Sequence, residues 1–344
     1  MRIRQEGFVI PPIRIGIIGC GNFMSAGHIG NLLASPEVEI VGLADPSTEA
    51  ISRMKERFPA LQSAPEYGDH RSLLAEASPD AVEIATPHAM HAAHVVDSFE
   101  ANCHVLVEKP LVISTDEAEM VLAKRDDAGK VLLVSYQRRY EPHFRYVREA
   151  VSSGSLGELQ FVSAVLSQGW LEFTRAAWRQ NPKISGGGVL LDTGSHLLDF
   201  LLFSTGLTVD RVTAYSSNLG SPVDINSAIS MQFSGDCIGN ISVVGHAPRP
   251  VVETVNIFGD EGSILLESRW EPGHSGARVS HESYSAGTIE VKDLPDGSSP
   301  DANFIDAILG RDDVKSPGEA GLAAIRLTEA IQESIRLGRE VKFV

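Results

Sequence analysis

The sequence predicts an α/β protein with two parts: a doubly wound parallel sheet, then an α/β domain with a large, mostly antiparallel sheet. Up to about residue 136, short apolar runs alternate with helical segments. The first apolar run ends in a glycine turn, and beyond residue 205 strand-like runs follow one another without helices between them. Alternating strands and helices form parallel βαβ units, whereas consecutive strands pair antiparallel.

In the N-terminal part, strands are predicted where apolar residues run without polar interruption, the pattern of strands buried on both faces. These strands are residues 13–18, 38–44, 81–85, 104–107 and 131–135. Helices are predicted between them at residues 28–34, 48–58, 72–77, 91–101 and 115–128. Gly129 follows the last helix, where glycine favours helix termination.

The pattern changes after residue 136, so the chain is predicted to divide into domains 1–136 and 137–344. The second part opens with a helix at 144–152, a strand at 158–166 and an apolar helical segment at 189–203. Strands are then predicted at 211–217, 227–233, 239–245, 253–259 and 262–267. Residues 268–300 are polar and predict a loop with one strand at 288–291, before final helices at 301–309 and 318–337.

Composition excludes several functional classes. The formal net charge of -16 argues against a nucleic-acid partner, which requires clustered Lys and Arg. No apolar run approaches the ~20 residues that span a bilayer, and the N-terminus lacks a secretory signal pattern, so a cytoplasmic location is expected. The three cysteines have no metal-like spacing and predict reduced, mostly buried thiols.

The turn after the first strand has the features of a dinucleotide site. Gly19 permits a tight turn, and Gly21 lets the backbone approach a pyrophosphate at the start of a helix. Met24 occupies the place of the third glycine of the motif, so taken alone the pattern is also that of a plain strand-to-helix turn. Asp45, at the end of the second strand, is placed to accept hydrogen bonds from ribose hydroxyls and to repel a 2′-phosphate. We therefore expect NAD rather than NADP, the alternative being a turn aspartate before Pro46.

Lys109 follows a parallel strand, at the sheet edge where ligands bind. Pro110 restricts its backbone, and Glu108 is a candidate partner for its ammonium group. The alternative is a solvated lysine in a turn.

Asp192 and His196 are four residues apart in an apolar segment, and they share a face if that segment is helical. An imidazole can take the proton of an alcohol, and the carboxylate can orient it or bind substrate. Asp199 is a candidate support for His196. The alternative is a hydrogen-bonded core histidine, although the preceding glycines 186–188 leave room for a ligand.

These motifs in this order resemble the glucose-fructose oxidoreductase, inositol dehydrogenase and rhizopine-catabolism oxidoreductase family over nearly the whole chain. The resemblance rests on Gly19-Cys20-Gly21-Asn22 with His28, Ala85-Thr86-Pro87 with His91, Glu108-Lys109-Pro110, and Gly186-Gly187-Gly188 before Asp192, Gly194, His196 and Asp199. It implies an N-terminal Rossmann domain that binds NAD, and a C-terminal domain that binds substrate and assembles a homodimer or homotetramer. The last helix, 318–337, is then expected to pack back on the first domain.

The resemblance also implies residue roles. Lys109 contacts the reacting hydroxyl, His196 is the acid/base, and Asp192 assists or binds substrate. The implied cofactor-binding residues are Gly19, Gly21, Asn22, Phe23, Asp45, Thr86, Pro87, His91, Glu108, Lys109 and Arg138. The implied substrate-binding residues are Lys109, Arg138, Trp178, Asp192 and His196. At the end of the sixth strand, Arg138 is favoured over Arg139. Trp170, Phe173, Trp178 and Arg179 resemble the variable substrate loop of the family, the alternative being a stable surface loop. The Lys-Pro bond of this motif is typically cis, so a cis Lys109–Pro110 bond is expected.

Two departures from the family pattern stand out. The first loop is longer than usual and lacks the third small residue. His88 follows Thr86-Pro87 where the family usually has Asn or a similar polar residue, and together with His91 and His94 it raises the hypothesis of a zinc site. Because residues three apart turn progressively around a helix and no carboxylate partner is evident, no metal site is expected.

The hypothesis is an NAD-dependent dehydrogenase that oxidises a secondary hydroxyl of a sugar, inositol or sugar derivative. An enzyme with tightly bound NAD that cleaves a glycoside or exchanges two substrates needs the same residues and remains an alternative. The third hypothesis is a non-catalytic regulator that binds NAD. The presence of both Lys109 and His196 argues against it.

Overall fold

The computed structural model of the chain describes residues 11–248, 250–271 and 276–343. Its first sheet contains six strands: β1 Ile13–Ile18, β2 Val38–Ala44, β3 Glu66–Tyr67, β4 Ala81–Ile84, β5 His104–Glu108 and β6 Leu132–Ser135. The helices among them are α1 Asn22–Gly27, α2 Ile29–Ala34, α3 Thr48–Arg57, α4 His70–Ala77, α5 His91–Glu100 and α6 Thr115–Ala128.

All pairings in this sheet are parallel, in the order β3-β2-β1-β4-β5-β6. The strand order reverses between β1 and β4, and the crevice at the carboxyl ends of such strands is where α/β sheets bind ligands. Local signals fix the helix ends. Ser114 caps α6 by accepting a hydrogen bond from the backbone N–H of Glu117, and Gly129 ends the helix with φ 62°.

The second part begins with α7 Pro142–Ser152, β7 Leu159–Ser167, α8 Trp170–Phe173, α9 Pro182–Ser185 and α10 Gly194–Thr205. Strands β8 Val209–Ser217, β9 Asn226–Phe233, β10 Ile238–Val244, β11 Val251–Gly259, β12 Gly262–Trp270, β13 Gly276–Ser283 and β14 Gly287–Ile289 follow. Helices α11 Pro300–Ile308 and α12 Gly318–Leu337 precede the short strand β15 Val341–Lys342. The nine-stranded sheet has the order β14-β13-β12-β11-β7-β10-β9-β8-β15, antiparallel except for the parallel pair β7–β10. The predicted fold class is therefore confirmed.

The last two helices pack against the first sheet although they follow the second sheet in sequence. Phe304 and Ile305 of α11 join the core on one face of the first sheet, and Ala324 and Ile325 of α12 join the core on the other. Leu327 and Ile331 of α12 belong to the core of the second sheet, so this helix contacts both. The division at residues 136 and 137 stays a prediction. Within the described ranges, no helix combines the length and apolar character required to cross a bilayer.

Three segments differ from their predicted structure. Residues 22–27, expected as a lengthened loop, form α1 directly after the glycine turn. Residues 189–193 precede α10 instead of extending it, so Asp192 lies in a turn. Strand β13 lies where the sequence predicts a loop, and only one of its eight residues is buried, which explains why apolar alternation does not reveal it.

Candidate active site

The glycine turn joins β1 to α1. Gly19 has φ 91°, and a Cβ there would lie 2.7 Å from the carbonyl oxygen of Ala85, so only glycine fits. Gly21 is extended, with φ -72°, and a Cβ added there would meet nothing within 4 Å. This open space suits a pyrophosphate, with Asn22 and the exposed Phe23 as the first residues of the helix beside it.

Asp45 lies beside this turn, at the end of β2. Its Oδ2 accepts a 2.8 Å hydrogen bond from the backbone N–H of Cys20, and its Oδ1 accepts one of 2.8 Å from the N–H of Ser47. The half-buried carboxylate therefore bridges the first two strand ends, as a ribose-binding acid would.

His91 connects the loop after β4 to the loop after β5. Its Nε2 lies 2.9 Å from the carbonyl oxygen of Thr86, and its Nδ1 lies 2.8 Å from that of Pro110. His91 is fully buried, and burial lowers its pKa. The Lys109–Pro110 peptide bond is cis, as the resemblance implied. His91 thus fixes Thr86 and Pro87 relative to the loop that carries Lys109.

The histidines at 88, 91 and 94 have separate partners. Nδ1 of His88 lies 2.9 Å from the carbonyl oxygen of Ser185, and Nδ1 of His94 lies 3.0 Å from Oγ1 of Thr86. The three rings therefore bind separate oxygen atoms, two of them at His91.

Lys109 is 8% exposed, and its ammonium group is held by Asp192. Nζ lies 2.6 Å from Oδ1 and 3.3 Å from the carbonyl oxygen of Asp192. Glu108, the partner expected from sequence, instead binds Nε2 of His28 at 2.9 Å and accepts from the backbone N–H of Lys109 at 3.2 Å. The expectation that Glu108 holds the ammonium group is therefore corrected.

Both carboxylate oxygens of Asp192 accept hydrogen bonds. Oδ2 accepts from Trp170 Nε1 at 2.8 Å and from Arg179 Nε at 3.0 Å. Burial alone would raise the pKa of Asp192, but the positive charges of Lys109 and Arg179 hold it well below its ordinary value. Asp192 is thus a buried anion that joins the first sheet to the segment that carries Trp170 and Arg179.

His196 lies in the first turn of α10. Its ring packs edge-on to Tyr136, with centroids 6.0 Å apart, and its buried Nδ1 has no hydrogen-bonding partner among the described residues. Burial and the positive charges of Arg138 and Lys109 hold the pKa of His196 well below its ordinary value. A neutral imidazole with a free ring nitrogen can accept a proton.

The two adjacent arginines form buried ion pairs. Arg138 donates from Nε and Nη2 to Oε2 of Glu253 on β11. Arg139 donates from Nε and Nη2 to Asp199, which therefore supports Arg139 instead of His196. Sequence reasoning missed Glu253, although its place among the buried positions of an alternating strand was a usable signal.

Trp178 and His88 form one wall near Asp192. Their rings meet edge-on with centroids 4.8 Å apart, and the guanidinium of Arg179 lies 4.4 Å from the Trp178 ring centre. Nε2 of His88 is 3.8 Å from Oδ1 of Asp192. The predicted Lys109, Asp192, Trp178 and Arg179 are thus brought together, with His88 as an addition.

The parallel sheet, its glycine turn and the lysine at the strand end define an oxidoreductase with a nucleotide-binding Rossmann domain. A family model described as "Oxidoreductase family, NAD-binding Rossmann fold" matches residues 13–136, and one described as "GFO/IDH/MocA C-terminal domain" matches residues 144–265. The chain belongs to the GFO/IDH/MocA oxidoreductase family, and NAD is its cofactor. The predicted family, enzyme class and cofactor are confirmed.

Named relatives act on sugars and inositols. The chain is 24% identical to myo-inositol 2-dehydrogenase of Thermotoga maritima over 96% of this chain and 98% of that protein. It is 29% identical to D-glucoside 3-dehydrogenase of Escherichia coli K12 over 60% of this chain and 58% of that protein. Its fold is similar to that of the WlbA dehydrogenase from Bordetella pertussis in complex with NADH and UDP-GlcNAcA, with TM-score 0.83, 23% identity, and 97% and 99% of the two chains covered.

Proposed function

We propose that this protein is an NAD-dependent dehydrogenase that oxidises a secondary hydroxyl of a sugar, an inositol or a sugar derivative. The observation that carries the proposal is the Lys109 ammonium group, held 2.6 Å from Asp192 at the carboxyl edge of the first sheet. The names of the relatives above support the substrate class.

The residues around the glycine turn fit the cofactor. The space beside Gly21 accommodates a pyrophosphate, and the Asp45 carboxylate suits ribose hydroxyls. When bound, NAD supplies the hydride acceptor. The proposed cofactor contacts are Gly19, Gly21, Asn22, Phe23, Asp45, Thr86, Pro87, His91, Glu108, Lys109 and Arg138, several of which act through the backbone or by shaping the site.

In the proposed reaction, His196 and Lys109 divide the proton and charge chemistry. His196, kept neutral by burial and neighbouring cations, accepts the hydroxyl proton. Lys109 donates a hydrogen bond to the oxygen and stabilises the negative charge that develops on it. Asp192 positions Lys109, while Trp178 and Arg138 are proposed to border the substrate.

The test begins with purified protein, NAD and a panel of inositols, aldoses, methyl glucosides and sugar acids, with NADH absorbance as the readout. With an active substrate, Lys109→Ala and His196→Ala should each lower kcat/KM by about 10²–10⁴-fold while NADH still binds. Lys124→Ala, an exposed lysine on α6, is the matched control and should retain activity. Undiminished activity in a Lys109→Ala, His196→Ala double variant would refute the assignment.

The same panel distinguishes a net dehydrogenase from the main alternative, an enzyme with tightly bound NAD and no net oxidation. If no compound yields NADH but denatured protein releases NAD, the enzyme is redox-neutral with a tightly held cofactor. The search then moves to glycoside cleavage and substrate exchange.

We also propose a homodimer or homotetramer built on the outer face of the second sheet. Tyr215, Ile238 and Phe258 are exposed on β8, β10 and β11. Light scattering on the purified chain tests this, and a monomer at micromolar concentration would exclude it.

A further inference from the structure

A buried cluster of one histidine and three carboxylates lies under the catalytic strand end. His28 directly follows α1, Glu83 is in β4, Glu108 ends β5, and Asp301 is in the first turn of α11. Their exposed fractions are 2%, 0%, 5% and 1%. Nδ1 of His28 is 2.7 Å from Oδ1 of Asp301 and 3.6 Å from Oε2 of Glu83, while Nε2 is 2.9 Å from Oε1 of Glu108.

The cluster has at most one positive charge for its three carboxylates. Burial alone would lower the pKa of His28, but hydrogen bonds to Asp301 and Glu108 raise it well above its ordinary value. Across the described ranges, His28 is the only cationic side chain within 4.0 Å of Glu83, Glu108 or Asp301. Asn31, which donates to Asp301 at 2.7 Å, is neutral, and the ammonium group of Lys109 is held by Asp192. Three buried carboxylates therefore share one imidazole, and burial of unpaired carboxylates is strongly unfavourable.

Glu83 gives the second, independent observation. Its side chain is fully buried, and neither carboxylate oxygen has a hydrogen-bonding partner in the described part of the chain. Oε2 of Glu83 lies 3.6 Å from Nδ1 of His28, and one carboxylate oxygen of Glu83 lies within 4.8 Å of the ligand atoms of His28 and Asp301. Buried carboxylate oxygens almost always have a donor, a proton or a metal ion.

Both ring nitrogens of His28 face carboxylates: Nε2 lies 2.9 Å from Glu108 and Nδ1 lies 2.7 Å from Asp301. With a metal ion bound, Glu108 would accept from Nε2–H, and the lone pair on Nδ1 would face the ion. Such a carboxylate behind a histidine is the arrangement that orients metal-binding imidazoles. Asn31 likewise holds the Asp301 carboxylate in place, by donating a hydrogen bond to its Oδ2.

We propose that His28, Glu83 and Asp301 bind a divalent transition-metal ion, Zn²⁺ or Mn²⁺, with Glu108 as the orienting carboxylate. The three ligand atoms lie within 4.8 Å of one another. One imidazole and two carboxylates suit these ions, and metal bonds of about 2.0–2.2 Å require only small side-chain shifts. The ion replaces the proton between His28 and Asp301 and ties α1, β4 and α11 together. The proposal is independent of the substrate proposed above.

The competing arrangement uses protons alone. Burial and the charge of Asp301 raise the pKa of Glu83 well above its ordinary value, and a protonated Glu83 could donate to Asp301. Glu83→Gln mimics this neutral form, so it distinguishes the two arrangements.

The experiment measures metal content in the full chain, produced without a polyhistidine tag in medium supplemented with Zn²⁺ or Mn²⁺. Because the site is buried, it fills during folding. Elemental analysis should find about one equivalent of one of these ions per wild-type chain and at least a tenfold lower content in Glu83→Gln. Glu76→Gln, an exposed carboxylate on α4, is the control and should match the wild type.

Thermal unfolding gives the second readout. The wild type and Glu76→Gln should unfold at higher temperature when produced with the ion than without it, and Glu83→Gln should show no such difference. The metal site would be overturned in favour of protons if the wild type from both media contains less than a tenth of an equivalent of the ion and Glu83→Gln is as stable as the wild type. NADH binding and dehydrogenase activity are measured separately, so either proposal can fail alone.

Discussion

The ammonium group of Lys109 and the carboxylate of Asp192 are 2.6 Å apart, although 83 residues separate them in the chain. Lys109 directly follows β5 of the first sheet, and Asp192 lies in the turn before α10. This buried contact connects the first sheet with the segment that carries Trp170 and Arg179, because both of these residues bind the same carboxylate.

We expect Asp192→Asn to destabilise the protein by about 3 kcal/mol, since it leaves Lys109 buried without its counter-charge. In a double-mutant cycle, Lys109→Met should restore part of this loss, so the two effects should be non-additive by about 1–3 kcal/mol. Urea unfolding measures both quantities. Asp293→Asn, in an exposed loop, is the control, and additive losses would show that the pair contributes no coupling.

Gly19→Ala and Gly21→Ala should fail in different ways. A Cβ at position 19 meets the Ala85 carbonyl at 2.7 Å, in a backbone region that costs other residues about 1–2 kcal/mol, so Gly19→Ala should lower stability by at least that amount. A Cβ at position 21 meets open space, so Gly21→Ala should keep stability within about 0.5 kcal/mol. It should weaken NADH binding by about tenfold or more, because the methyl group occupies the pyrophosphate position. NADH affinity is measured by fluorescence titration. Equal affinity in Gly21→Ala and the wild type would show that the pyrophosphate does not lie beside Gly21.

Asp45→Asn should relax the preference for NAD over NADP. The carboxylate repels a 2′-phosphate, and the amide removes this charge while keeping one oxygen for the backbone N–H groups of Cys20 or Ser47. We expect the ratio of the NADPH and NADH dissociation constants to shrink by about tenfold, equivalent to about 1.4 kcal/mol. The exposed Glu76→Gln variant controls for net charge. An unchanged ratio of the two dissociation constants would show that Asp45 does not determine the preference for NAD.

His88 should make stability sensitive to acid. Burial lowers its pKa to about 3, helped by Lys109 and opposed by Asp192. Because the folded pKa lies below the unfolded value of about 6.5, stability is complete above that value and is lost as the pH falls toward 3. His88→Asn should therefore lose about 2 kcal/mol less than wild type between pH 7 and pH 5, by urea unfolding. The exposed His246→Asn variant should lose as much as wild type over the same range. Equal losses in wild type and His88→Asn would mean that His88 is charged in the folded state.

The sequence predicted the first sheet well because its strands are buried on both faces and appear as continuous apolar runs. It also predicted the glycine turn, Asp45 and Lys109, since each occupies a fixed place relative to a strand end. It did not predict β3, which has two residues, or β13, in which only one of eight residues is buried. It also placed Asp192 in a helix, because the apolar run 189–203 does not show where the first helical turn begins.

By itself, the sequence determined the fold class, the edge of the sheet that carries the site, and the residue types available there. Only the tertiary structure decided which charges meet: Lys109 with Asp192 rather than Glu108, Asp199 with Arg139 rather than His196, and His28 with three carboxylates from distant segments. The physical reason is that periodicity and turn residues act over a few neighbouring positions. Ion pairs between residues 60 or 83 positions apart depend on how the packed sheets and helices place them.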